Sequence, residues 1–389
     1  MEFTEQISRL VPRSPEDHID WEQIGSLFSG TPFPEMKNTP QNPVYHGEGD
    51  VYAHTRMVTG KLTEDPAFYA LPSVRKTELF LAAVLHDIGK VRTTRMENGS
   101  WTSPHHASTG SLIVREFLWK ECGLCGTPEA VSFRETVCSL VANHMQPVYL
   151  ITRKDPERKL RTIAAAGEPA RDFSWELLCM LSEADVTGRI SAETEESLTK
   201  VRLAGVLAEV AGCLKGPYTF PDPIVKRAYL NRRDVLPDQP LYDDTWGEVI
   251  LMSGLPGTGK DTWIRQNVPF LPVVSLDEIR ELRGIKADGK PGALFQAAQE
   301  QAREYLRRKQ PFVWNATNLY REVRQGLISL FERYGARSRI VYLETDWQTR
   351  RERNAGRPDA VPEKNVEKML SHLVPPLPDE AHTVDWLCV

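Results

Sequence analysis

The stretch 81-LAAVLHDIGK-90 decides how the first half of this chain is read. Phe80, Leu81, Val84 and Leu85 recur at helical spacing, so the segment predicts a buried helix that ends in His86-Asp87-Ile88-Gly89-Lys90. An imidazole nitrogen beside a carboxylate oxygen at a helix end forms a chelate for a transition metal. Alone the dipeptide carries little, because His-Asp pairs arise by chance. Its weight comes from the other helix ends. His54 lies on the inner side of a helix face shared by Val51, Met57 and Val58. A helix opening at Pro104-His105-His106 presents His106. Val137, Leu140 and Val141 lead to His144, with Pro147 helping to stop that helix, and Leu177, Leu178 and Leu181 lead to Asp185.

Six such groups exceed one tetrahedral site, so two divalent ions are expected in preference to one. His54, His86, Asp87 and Asp185 would surround the first. His106 and His144 would hold the second, with Asp87 bridging. Paired metals generate hydroxide near neutral pH and neutralise a phosphoryl oxygen, which suits phosphoester hydrolysis. His46 and Asp50, close to His54, are read as outer or substrate contacts. A following helix is expected to be capped by Ser191.

Composition sets wider bounds. The chain has 389 residues, 41% hydrophobic and 26% charged, with a net charge of -5. A polyanion therefore needs a local basic groove, because the global field does not attract it. No apolar run approaches the roughly 18 residues of a membrane span, and the polar start is unlike a signal peptide, so a cytoplasmic protein without membrane partners is expected. Six cysteines, with one Cys122-x-x-Cys125, read as reduced thiols.

Residues 216–245 contain five prolines and little periodicity, which suggests a partly ordered linker. Arg232-Arg233 within it could face a nucleic acid or simply solvent. From 248 onward strands alternate with helices, the pattern of a parallel sheet covered on both faces. The expected fold is thus multidomain: an all-α domain over 1–215, a linker over 216–245 and an α/β domain over 246–389.

In the second domain Gly254-Leu-Pro-Gly257-Thr258-Gly259-Lys260-Asp261-Thr262 follows a strand and opens a helix. Backbone N–H groups of such a loop cradle a polyphosphate, and Lys260 would bridge its terminal phosphates. Gly257, Thr258, Gly259, Lys260, Asp261 and Thr262 are the expected nucleotide contacts, with ATP or another NTP and Mg as cofactor. The residue after Lys is ordinarily Ser or Thr, whose hydroxyl ligates magnesium; here it is Asp261. Asp277 follows the second strand and is placed to take a proton from an attacking hydroxyl. Arg280, one turn on, can bind a neighbouring phosphate. Arg353 and Arg357 share a helix face at i, i+4 and could close over the transferring phosphoryl. Without chemistry, Asp277 would be a helix cap and the arginines a solvated cluster.

The order H…HD…H…H…D over roughly 40–200, with HDIGK and the spacing His106 to Gly110, resembles the HD-domain phosphohydrolase superfamily. That resemblance selects His106 over His105. It implies metal-dependent hydrolysis of phosphoesters, with Lys90 and Arg189 meeting the substrate phosphate. The phosphate loop, Asp277-x-x-Arg280, Asn315-Ala-Thr-Asn318 and Arg353-Asn-Ala-Gly-Arg357 resemble the 5′-OH polynucleotide kinase family over roughly 246–375. It implies Asp277 as general base, Arg280 as contact to a 3′ phosphate and Arg353 and Arg357 as a lid. Asn315 stands where those relatives often have Asp.

Together the halves resemble the bacterial HD-Pnk family of end-healing enzymes. That implies removal of a 2′,3′-cyclic, 2′- or 3′-phosphate and NTP-dependent phosphorylation of 5′-OH ends of RNA or DNA, with a separate ligase as a further candidate partner. A nucleotidase joined to a small-molecule kinase, and an ATP-gated nucleotide sensor, are the alternatives.

Overall fold

The computed structural model describes residues 3–167, 169–231, 233–282 and 291–389. Arg232 and residues 283–290 lie outside the described residues. The chain divides into two compact units: Met1–Leu124 with Glu129–Tyr218, and Cys125–Pro128 with Thr219–Val389.

The first unit is helical and is built around Ser73–Leu85. Leu79 through Leu85 are all buried, so this helix is apolar all round and lies inside the others. Val51–Glu64 starts where the Asp50 carboxylate accepts the Ala53 N–H at 2.8 Å. Asp50 is therefore a helix cap. Trp175–Thr187 starts at Ser174, whose hydroxyl accepts the Leu177 N–H. His106–Lys120 and Pro128–Asn143 complete the set that carries the site. Strands β1 (Arg95–Glu97) and β2 (Ser100–Thr102) form an antiparallel hairpin through Asn98-Gly99, both at positive φ.

The helix that leads to His144 ends at Asn143, and Pro147 beyond it lies in the first turn of a further short helix, Gln146–Leu150. One expectation of detail fails. Ser191 is not the cap of the next helix, which runs Thr194–Val210 with Glu193 at its cap position.

The second unit holds five parallel strands, β3 (Glu248–Ser253), β4 (Val273–Ser275), β5 (Val313–Asn315), β6 (Arg337–Glu344) and β7 (Thr383–Cys388), in the order β4-β5-β3-β6-β7. β7 is absent from the sequence reading; its half-buried residues make a weak strand signal at the sheet edge. The chain leaves β3 towards β4 on one side and later places β6 on the other. The crevice at the C-terminal end of β3 is therefore the place where such sheets bind ligands. The stretch expected as a linker supplies a helix, Pro223–Leu230, capped by Asp222. No helix among the described residues is long and apolar enough to cross a membrane.

Candidate functional site

In the first unit, glycines let the helices approach closely enough to assemble the site. A Cβ on Gly89 would lie 2.0 Å from the His106 carbonyl oxygen, so the HDIGK turn and the start of His106–Lys120 are in backbone contact. A Cβ on Gly188 would lie 2.7 Å from the Val58 backbone. That contact sets Val51–Glu64 against the end of Trp175–Thr187, where His54 meets Asp185.

The six sequence-predicted residues come together around Asp87. Its Oδ2 lies 3.3 Å from His86 Nε2 and 3.6 Å from His54 Nε2. Its Oδ1 lies 3.4 Å from His106 Nε2 and 3.8 Å from His144 Nε2. His54 Nε2 is 3.0 Å from Asp185 Oδ1. His86, His106 and His144 each set Nδ1 at 2.8 Å from the backbone carbonyl three residues earlier, those of Ala83, Ser103 and Val141. This fixes the proton on Nδ1 and turns the Nε2 lone pair inward. His105 sits outside, exposed, at a positive φ.

Buried polar atoms in this ring are left over: His86 Nε2, His106 Nε2 and Asp87 Oδ1 make no hydrogen bond among the described residues. Such atoms are costly unless something satisfies them, and a divalent cation does so for this donor set. His54, His86 and Asp87 form one compact ligand group, and Asp87, His106 and His144 another. The charge states of His106, His144, Asp87 and Asp185 suit this, whereas at His54 the lowering effect of burial is outweighed by the Asp185 and Glu48 carboxylates, which raise it. Burial lowers His106 and pushes His144 down to about 3, so both are neutral donors. Burial alone would raise Asp87, but Lys90 first and then His86 hold it well below the carboxylate range. Burial likewise opposes ionisation of Asp185, and Arg189 and His54 overcome it.

Lys90 Nζ lies 2.7 Å from Asp87 Oδ2 and donates to Gln41 Oε1 at 2.7 Å. Arg189 lies 3.4 Å from Asp185 Oδ2. A cavity of about 270 Å³ opens beside the ring, walled by Tyr45, Trp101, Ser103, Met145, Lys90 and Arg189. The sequence reading passed over Gln41, which gives no local signal, and Glu48, which does. Glu48 stands between His46 and His54 in His46-Gly-Glu-Gly-Asp50. Its Oε1 is 2.8 Å from His46 Nδ1 and 2.9 Å from His54 Nδ1, and its Oε2 accepts the Ile190 N–H at 2.9 Å.

In the second unit the loop after β3 turns on three glycines at positive φ: Gly254 at 143°, Gly257 at 87° and Gly259 at 88°. A Cβ on Gly257 would meet the Arg350 carbonyl oxygen at 2.4 Å, so only glycine fits there. The helix Lys260–Asn267 follows, with its N-terminus at the loop. The Thr258 hydroxyl donates to Leu255 O, and Lys260 Nζ donates to Gly254 O and Leu255 O, each at 2.9 Å. Burial pushes the Lys260 ammonium down to about 8. Thr262 accepts from Arg265 at 3.2 Å, and Asp261 Oδ1 accepts from Asn315 Nδ2 at 2.6 Å.

Asp277 lies in the first turn of Leu276–Leu282. Arg280 donates to its Oδ1 at 2.7 Å, and an Arg357 nitrogen lies 3.5 Å from its Oδ2. Arg353 lies against the loop, 3.6 Å from where a Gly259 Cβ would stand. The shared helix face expected for Arg353 and Arg357 is not formed. Trp347–Ala355 ends at Gly356, and Arg357, beyond it, is held by Asp359 at 2.9 Å. Both arginines reach the loop region from successive segments instead.

Residues 51–166 match the family model described as HD domain, and residues 249–376 match the one described as AAA domain. A search of curated proteins finds no match. HD domains bind divalent metals, which the His/Asp ring fits, and the glycine loop is of the nucleotide-binding kind. The chain thus joins an HD domain to an AAA-type, P-loop kinase-like domain of α/β fold.

Proposed function

We propose that the protein heals broken nucleic-acid ends, preparing both for a ligase. The HD unit removes a 2′,3′-cyclic, 2′- or 3′-phosphate, and the second unit phosphorylates a 5′-OH from an NTP with magnesium. One observation carries the reading: a single chain presents a ring of four imidazoles and two carboxylates beside a cavity, and a lysine-bearing glycine loop facing an Asp–Arg pair.

In the HD unit His54, His86, Asp87, His106, His144 and Asp185 would hold one or two divalent transition ions. Such ions supply hydroxide near neutral pH and Lewis acidity towards a phosphoryl oxygen. Lys90 and Arg189, both on the cavity wall, would bind the phosphate. In hydrolysis of a cyclic ester, a water oxygen bonds to phosphorus, one ribose P–O bond breaks and the ribose oxygen takes a proton.

In the kinase unit the loop amides and Lys260 would hold the polyphosphate. Asp277 accepts the proton of the 5′-OH as its oxygen bonds to the γ-phosphorus and the bond to the leaving NDP oxygen breaks. Arg280 would take a phosphate of the acceptor strand, and Arg353 and Arg357 would stabilise charge on the transferring group.

The test is an RNA bearing a 5′-OH and a 2′,3′-cyclic phosphate, incubated with labelled ATP and a panel of divalent metals, both ends being analysed. Asp277→Ala should abolish label transfer and spare nucleotide binding, while Asp87→Ala should abolish phosphate release alone. Phosphorylation of small alcohols in place of the oligonucleotide would reject the reading.

A further inference from the structure

Two oddities of the second unit, far apart in sequence, are in contact. The position after Lys260 carries Asp261 where phosphate loops have a hydroxyl, and β5 ends in Asn315. Asn315 Nδ2 donates to Asp261 Oδ1 at 2.6 Å across the crevice. Asn315 also pairs in register with Ser275, so β4 and β5 end together there. In loops of this kind magnesium is held by a Ser or Thr hydroxyl on the loop side and an Asp on the strand side. That arrangement supplies one negative charge and hard oxygen ligands, which magnesium requires. Asp261 and Asn315 supply the same single charge from the opposite side.

We propose that Asp261 is the carboxylate that holds the magnesium of the nucleotide complex, with Asn315 as its orienting partner, so that the usual loop and strand roles are exchanged. The inference rests on reading this unit as an NTP-dependent kinase. Its geometry is local. Asp261 lies in the first turn of the helix that Lys260 opens, and its carboxylate is hydrogen-bonded by Asn315, while the Lys260 and Arg357 charges act on it from farther off. One oxygen is engaged by the amide, which fixes the group; the other remains for a cation. A carboxylate in a first helical turn also has a purely structural use, because it complements the helix dipole. Moving the carboxylate from residue 261 to residue 315 separates these uses, since the structural role depends on Asp261 alone and the metal role depends on the pair.

The experiment measures the affinity of the full chain for a fluorescent ATP analogue with magnesium and with EDTA. The ratio of the two affinities is the readout, and the melting temperature of each variant reports folding. Asp261→Ser should reduce the magnesium enhancement at least about tenfold, by loss of an anionic ligand. Asp261→Ser combined with Asn315→Asp should restore it. Mn(II) bound with ATP, followed by electron paramagnetic resonance, should be lost and regained in step. An undiminished enhancement in Asp261→Ser would overturn the inference, as would failure of the exchanged pair to recover while folded. Wild-type protein that binds no nucleotide under either condition would overturn the kinase reading and the inference with it. Wild-type protein that binds nucleotide equally well with and without magnesium would overturn the inference alone.

Discussion

Glu78 offers the sharpest quantitative test of the helix that carries His86 and Asp87. It lies within Ser73–Leu85, fully buried, and neither carboxyl oxygen has a hydrogen-bond partner among the described residues. Burial first, and the Asp172 charge second, raise its pKa from 4.5 to about 9; Thr136 and Arg75 act against them. The folded protein therefore keeps a proton that the unfolded chain releases. Below pH 4.5 both states are protonated and the group has no effect. Above it, ionisation favours the unfolded chain, and stability falls until the folded carboxyl also titrates near pH 9. At about 1.4 kcal/mol per unit of pH, the loss between pH 5 and pH 8 is about 4 kcal/mol. Glu78→Gln keeps the shape and removes the titration. Urea unfolding of wild type and variant across this range should show the variant gaining about 4 kcal/mol relative to wild type. Because other groups cancel in the difference, parallel curves would refute a neutral buried carboxyl at Glu78.

Three further outcomes follow from the geometry. Glu48→Gln removes the carboxylate beside His54 Nδ1, and metal affinity of the HD unit, read by competition with a chelating dye, should fall about 10- to 100-fold. Gly257→Ala places a Cβ against the Arg350 carbonyl oxygen at positive φ. It should destabilise the second unit by about 1–3 kcal/mol and weaken nucleotide binding, while phosphate release by the HD unit is kept. Arg324 is buried, with Nε and one terminal nitrogen each 2.8 Å from the Glu380 carboxylate. Arg324→Met should destabilise the second unit by about 3 kcal/mol in chemical unfolding, because the buried Glu380 carboxylate loses both close bonds to that guanidinium and keeps only Arg321, 3.5 Å away, as counter-charge.

The residues around Asp87 were legible because their signal is local: an apolar helical run with a polar ligand at its end. The phosphate loop was legible for a similar reason, since a strand, a glycine turn and a lysine lie within a dozen residues. What escaped depends on contacts between distant segments. Gln41 reaches Lys90 from 49 residues away, and no periodicity announces it. The meeting of Asp261 and Asn315 is invisible until β5 is set beside β3. Arg357 was misplaced on a helix because its spacing from Arg353 fits one, whereas Gly356 ends that helix. β7 was lost because its half-buried residues carry little hydrophobic contrast.

The strand order of the second unit has a consequence for how the chain matures. β3 is the first strand of its sheet to leave the ribosome, yet Ile250 finds its partners only in Val313 and Arg339. Its apolar residues must wait, unsheathed, while much of the unit is still being made. Pairing so remote in sequence closes slowly. The nascent chain is then open to aggregation through that strand. Faster synthesis or higher temperature should lower the yield of the second unit before it touches that of the first.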